Sequence, residues 1–167
     1  EVGKNGRKWR KDKNMSEVST EPNFYAGEFS KQLDEKRRVT IPAKWRFKGD
    51  EAENSYLAIP TTYGSISVMP PQMIADLHSK ISKISMANPA KRKALSKFLS
   101  KSCTFGCDKQ GRIMLGESIL SHVGIDRDVA LVGMGATFEI WDPRTRAKWL
   151  GESTEQDEVA LLEELGL

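Results

Sequence analysis

Cysteine, histidine and long apolar runs are all scarce in this chain, and each scarcity removes a class of protein. There are 2 cysteines and 2 histidines among 167 residues. Cys103 and Cys107 stand four positions apart in a stretch of strand character, and extended backbone would hold their Cα atoms about 13 Å apart. A disulfide spans about 4.4–6.8 Å, so the two read as small apolar packers in a reducing cytoplasm. With the histidines elsewhere, no metal-ligand spacing emerges. No run of 18 or more apolar residues occurs, so no membrane-spanning helix is expected. The basic N-terminus is not followed by an apolar stretch, which argues against a secretory signal. Also missing are a glycine-rich phosphate loop and a nucleophile with an obvious base. His78 falls on an amphipathic stretch and His122 at a helix end, where capping is its expected role. The chain reads as a non-enzyme with no cofactor and no metal.

What is present is charge, unevenly spread. The formal net charge is +3. Residues 1–14 hold Lys4, Arg7, Lys8, Arg10, Lys11 and Lys13 against Glu1 and Asp12, whereas the chain from Glu152 onward carries acidic groups and no basic one. The body between these ends is itself positive, which permits a polyanionic partner. The segment 1–23 reads as a disordered basic leader with Met15 as a candidate start. Such an arm can follow phosphates or simply be solvated.

The chain also states one stretch twice. Residues 33–46 read LDEKRRVTIPAKWR and residues 107–120 read CDKQGRIMLGESIL. Asp34 falls on Asp108, Arg38 on Arg112, Val39 on Ile113 and Ile41 on Leu115, always 74 positions on. Internal duplication of this kind marks a repeated structural unit. A unit of roughly 50 residues buries too little surface to be robust alone, so each copy should lean on its twin or on another chain.

Each copy reads as strand, turn, strand, short helix, hairpin and trailing helix. A strand is expected from 24 to 33, a turn at 34–37, a strand at 39–41, and a short helix over 43–48 ending at Gly49. Hairpin strands follow at 56–59 and 65–69, and in the second copy at 129–132 and 137–141. Pro71 and Pro143 open helices. Between the copies, Ile74, Leu77, Ile81 and Ile84 recur with helical spacing. Asn88-Pro89 then restarts a helix bearing Leu95, Phe98 and Leu99, and this pair is expected to brace the copies or meet a neighbouring subunit. The fold class is mainly β with short helices (α+β). It divides into two repeat modules, 27–73 and 102–145, a helical linker over 74–101, and a C-terminal helix with an acidic tail over 146–167.

The repeated turn carries the candidate chemistry. Asp34 and Asp108 are placed to accept hydrogen bonds from the backbone a few residues on and so to structure the loop. Lys36, Arg37 and Arg38 set three cations side by side at a strand entrance, with Lys109 and Arg112 in the second copy. Cations held outward from a rigid sheet suit phosphate and base-edge contact; the alternative is a solvated loop. Gly111 before Arg112 predicts a backbone with positive φ. In the first copy Arg37 must either pay a cost of about 1 kcal/mol or more to match it, or let the loop differ.

Three segments together resemble the MraZ family: Asp34-x-Lys36-x-Arg38 with Thr40-Ile41-Pro42-Ala43, the linker Met86-x-Asn88-Pro89, and Asp108-x-x-Gly111-Arg112 with Val132-Gly133-x-Gly135 and Glu139-Ile140-Trp141-Asp142. The likeness covers residue 24 to about 150. It implies two tandem AbrB-like swapped-hairpin β-barrel modules assembled into a closed ring. It also implies a bacterial transcriptional regulator of the division and cell-wall gene cluster, associated with the nucleoid and bound to repeated boxes in double-stranded DNA of its own operon promoter. The DNA contacts implied are Lys36 and Arg38, with Arg112 as the second-copy equivalent and Asp34 and Asp108 as loop-shaping partners. Two departures stand out: Arg37 where the family usually has glycine, and the long leader. The alternative is an assembly or antitoxin-like interaction module with weak DNA binding. For this, the tail offers a candidate amphipathic helix with Val159, Leu162 and Leu165 on one side, if it is not simply a frayed end.

Overall fold

The computed structural model describes residues 23–47 and 54–167, so the basic leader through residue 22 and the expected stop at Gly49 lie outside the described residues. The fold is α+β. Strands β1 (Glu28–Gln32), β2 (Arg38–Thr40), β3 (Ser55–Pro60) and β4 (Ser65–Met69) lead into helices α1 (Pro71–Ser82) and α2 (Pro89–Leu99). Then come β5 (Cys103–Gly106), β6 (Arg112–Met114), α3 (Glu117–His122), β7 (Asp128–Gly133), β8 (Phe138–Trp141), α4 (Pro143–Leu150) and α5 (Glu155–Leu165).

The strands form a six-stranded sheet in the order β1-β7-β8-β4-β3-β5 and a separate ribbon, β2-β6, with every pairing antiparallel. The sheet order reads the same when each strand is exchanged for its counterpart in the other copy. The opening strand β1 does not pair with its own hairpin; it lies on β7, with Phe29 opposite Leu131. Likewise β5 lies on β3, with Tyr56 opposite Phe105. The copies therefore interleave, each closing the sheet that the other leaves open.

The core follows from the alternation of side chains along each strand. Val39 and Ile113, the central pair of the ribbon, are buried, as are Ile41 and Leu115 beyond them. Opposite lie Tyr56, Ala58, Ile66, Val68, Val129, Leu131, Phe138 and Ile140 from the sheet, in one continuous cluster. Aromatic rings fill its centre: Trp45 meets Tyr25, Phe29 and Phe138 at 5.7, 5.1 and 5.3 Å between centroids. Cys103 and Cys107 are free thiols packed against this cluster, and burial pushes both up from the ordinary thiol pKa.

The helix expected over 43–48 is shorter than its sequence suggests. Only Ala43–Trp45 is helical, as a single 3-10 turn, and Arg46 is already extended. The reason is packing: Trp45 is drawn fully into the aromatic core, and the Phe47 N–H donates to the Tyr56 hydroxyl at 2.9 Å. The strand expected from residue 24 starts only at Glu28, after Gly27, although Tyr25 bridges to Gly135. That approach is close enough that a Cβ on Gly133 would strike the Tyr25–Ala26 backbone.

The linker helices form where the Pro and Asn signals place them. Pro71 opens α1, and the Asn88 side chain accepts from the Lys91 N–H at 3.1 Å at the start of α2. Asp142 caps α4 through the N–H groups of Arg144 and Thr145. Arg146 then ties α4 to β1 through a two-point pair with Glu28, at 2.8 and 3.2 Å, whose hydrogen bonds hold the Glu28 carboxyl below its usual range. The acidic tail is an ordered helix: Thr154 and Asp157 form a reciprocal capping box, and Gly166 ends α5 in a left-handed conformation.

Candidate nucleic-acid interface

Two turns, one from each copy, enter the ribbon from opposite ends. In the first, Asp34 Oδ1 accepts the backbone N–H groups of Lys36 and Arg38, each at 2.9 Å, and Oδ2 accepts Arg38 Nε at 2.8 Å. The main chain closes the same turn, with Asp34 N donating to Arg38 O and Arg37 N to Asp34 O. The second turn repeats this bond for bond. Asp108 Oδ1 accepts Gln110 N and Arg112 N at 2.9 Å, and Oδ2 accepts Arg112 Nε at 2.8 Å. In each turn, the backbone N–H of the arginine is the chief cause that holds the aspartate carboxyl below the ordinary carboxylate range. A short acidic side chain thus fixes both the turn and the guanidinium that follows it.

The register of the ribbon sets what the turns present. Arg38 lies opposite Met114 and Thr40 opposite Arg112, with Val39 and Ile113 between them pointing into the core. Arg38, Thr40, Arg112 and Met114 consequently share the outward face, with the two arginines on a diagonal. Neighbours so placed stand roughly 7–8 Å apart at Cα. Met114 is 62% exposed. Lys36 and Lys109 lie on the exposed parts of the two turns.

Arg37 does not join this face. It adopts φ 58°, the only non-glycine residue with positive φ among the described residues, and matches Gly111 at φ 78°. Its guanidinium turns back to α3, where Nε and Nη2 meet the two carboxylate oxygens of Glu117 at 3.0 and 3.1 Å. Nη1 donates to the Asp126 carbonyl. The three adjacent cations of the sequence are in this way divided: Arg37 is spent on the fold, while Lys36 and Arg38 face outward.

The second turn receives its guanidinium from elsewhere. Arg46 lies over Gly111, where any Cβ would collide with it, and its Nε donates to Ile41 O at 3.3 Å. Sequence reasoning did not find Glu117, Asp126 or Arg46. The one signal for Arg46 is that its counterpart 74 positions on, Leu120, is an apolar residue. Among the described residues no group of three or more His, Cys, Asp or Glu side chains is placed to hold a metal ion, and no helix is long and apolar enough to cross a membrane.

Comparison with known proteins defines the class. The relatives that the chain matches are named transcriptional regulators. One from Clavibacter michiganensis subsp. michiganensis is 31% identical over 127 residues, covering 76% of this chain and 87% of the relative. One from Syntrophomonas wolfei is 31% identical over 126 residues, covering 75% and 84%. One from Pseudoalteromonas translucida is 28% identical over 141 residues, covering 83% and 91%. Each is called "Transcriptional regulator MraZ". The family described as "MraZ protein, putative antitoxin-like" matches residues 98–163. The chain belongs to the MraZ family.

Proposed function

We propose that this protein is a sequence-specific DNA-binding transcriptional regulator that acts in the cytoplasm, on the nucleoid, and reads double-stranded DNA with the β2-β6 ribbon. The observation that carries this reading is the paired set of aspartate-stapled turns, which aim Arg38 and Arg112 from one rigid outward face. A two-stranded ribbon fits the major groove of B-form DNA. A guanidinium has five N–H donors, and the aspartate takes those of Nε and one on Nη2, so the Nη1 edge is left to meet a phosphate or a guanine. Lys36 and Lys109, further along each turn, supply phosphate contacts, which position the protein without reading sequence. Arg37 serves the turn and not the duplex.

One ribbon with a few cations binds duplex weakly. Several copies in a ring display many ribbons at fixed spacing, and engagement of one raises the effective concentration of the next. The two AbrB-like modules, 27–73 and 102–145, are each the swapped half of one reading unit. The DNA target is a set of repeated boxes in the promoter of the protein's own operon, in the division and cell-wall gene cluster. The test is fluorescence anisotropy with the DNA upstream of the protein's own gene against a shuffled duplex, using wild type and Arg38→Ala at equal oligomer size. Loss of the preference in the variant is expected. Equal affinity of wild type for both duplexes would favour the interaction-module reading, which α5, with its exposed leucines, keeps in play.

A further inference from the structure

Among the described residues four helices, α1, α2, α4 and α5, contain no fully buried residue; α1 lies against β3 and α4 against β7, which leaves α2 and α5, and these two are chemical opposites. No residue of α2 or α5 is buried. Within its bounds α2 carries Lys91, Arg92, Lys93 and Lys97 and no acid, while α5 carries Glu155, Asp157, Glu158, Glu163 and Glu164 and no base. Each also presents apolar side chains at helical spacing. On α2, Phe98 is 37% and Leu99 43% exposed beside the half-buried Leu95; on α5, Val159, Leu161, Leu162 and Leu165 are 46–62% exposed. An amphipathic helix with an uncovered apolar side costs free energy in water until something covers it. The chain's own α2 does not cover its own α5, since both sets of side chains are exposed in the same molecule.

We infer that α5 of one copy docks on α2 of a second copy, apolar side against apolar side, with the acidic flanks of α5 meeting the basic flanks of α2. Charge selects the partner: the all-acidic α5 finds its complement in the basic α2 that every copy also carries, since the other acid-free α-helix, α4, lies against β7 with Arg146 already paired to Glu28. Such a contact joins two different patches, so it is head-to-tail, and head-to-tail contacts close into rings or run on as filaments. The inference rests on the assembly part of the proposed function and names the surface that would build it.

Charge exchange tests the pairing. One variant carries Glu158→Lys, Glu163→Lys and Glu164→Lys; the other carries Lys91→Glu, Arg92→Glu and Lys97→Glu. All six positions are exposed, and circular dichroism checks that helix content is kept. Sedimentation should find wild type at a multiple of the 18.7 kDa chain, each variant alone as a single chain, and the equimolar mixture restored to the assembled mass. In the mixture every contact again joins opposite charges, since the acidic α2 of one variant meets the basic α5 of the other. Assembled variants with unchanged mass would overturn this surface and leave the ring reading standing. A single-chain wild type would overturn both. If the two variants fell apart but failed to reassemble together, or if the α2 variant kept its mass and lost duplex binding, α2 would have another partner and the pairing would be wrong.

Discussion

Arg37 and Gly111 hold the same backbone conformation at equivalent positions of the repeat, φ 58° against φ 78°, although only glycine adopts it without steric cost. The cost for a side chain is about 1–2 kcal/mol. The two-point pair with Glu117 offsets it in part, by about 0–1 kcal/mol for an exposed ion pair. Glycine at position 37 should therefore leave stability near wild type or slightly higher. Alanine keeps the strain and loses the pair, so Arg37→Ala should be less stable than Arg37→Gly by about 1 kcal/mol in urea denaturation. Equal midpoints for the two variants would mean that the left-handed backbone is not held in solution.

A second expectation concerns acid. The carboxyls of Asp34 and Asp108 are depressed, first by the backbone N–H of the arginine in each turn and then by its side chain among the further hydrogen bonds. For a depressed acid, the stabilisation is fully present above the unfolded value of about 3.9 and is lost as pH falls through the lower folded value. The amide resonances of Lys36, Arg38, Gln110 and Arg112 should hold steady from neutral pH down to about 4 and move only below it. A midpoint at or above the ordinary carboxylate value would show that the staple does not form.

DNA affinity should fall steeply with salt, log affinity dropping by about 0.9 per phosphate neutralised for each unit of log salt. Lys36→Ala should lower that slope by roughly one phosphate and weaken all duplexes alike. Arg38→Ala should in addition flatten the preference between sequences, since a bidentate arginine contributes about 1–3 kcal/mol of discrimination. A slope that Lys36→Ala leaves unchanged would remove Lys36 from the phosphate contacts.

Glu139 makes a different prediction. This buried carboxylate accepts the Tyr63 hydroxyl and Trp141 Nε1, both at 2.8 Å, beneath a pile of rings in which Trp149 lies 5.4 Å from Tyr63 and 5.0 Å from Trp141. Glu139→Ala leaves the buried indole N–H without its acceptor and should cost about 1–3 kcal/mol, with a change in tryptophan emission. Glu139→Gln keeps an acceptor and should cost less. Identical denaturation midpoints and spectra for both variants would show that the contact is idle.

What the sequence made legible is local. The repeat at Asp34 and Asp108, the hairpin strands, the proline-started helices and the positive φ at Gly111 all depend on residues a few positions apart. The partner of each opening strand does not. Nothing near Phe29 says that it will face Leu131 and not its own hairpin, because an alternating apolar pattern fits either edge. The fate of Arg37 was hidden for the same reason: its acceptor, Glu117, lies 80 residues away and looks like an ordinary first-turn acid of α3. Arg46 over Gly111 and the Glu139 cluster are likewise products of distant segments meeting.

The exchange of opening strands between the repeats has a consequence for how this gene can vary. A substitution in residues 28–32 is judged by the hairpin at 128–141, and one in residues 103–106 by the hairpin at 55–69. Neither half can drift freely or be grafted out alone, yet the two severed halves, expressed as separate polypeptides, carry complementary edges and should find one another to rebuild a single body.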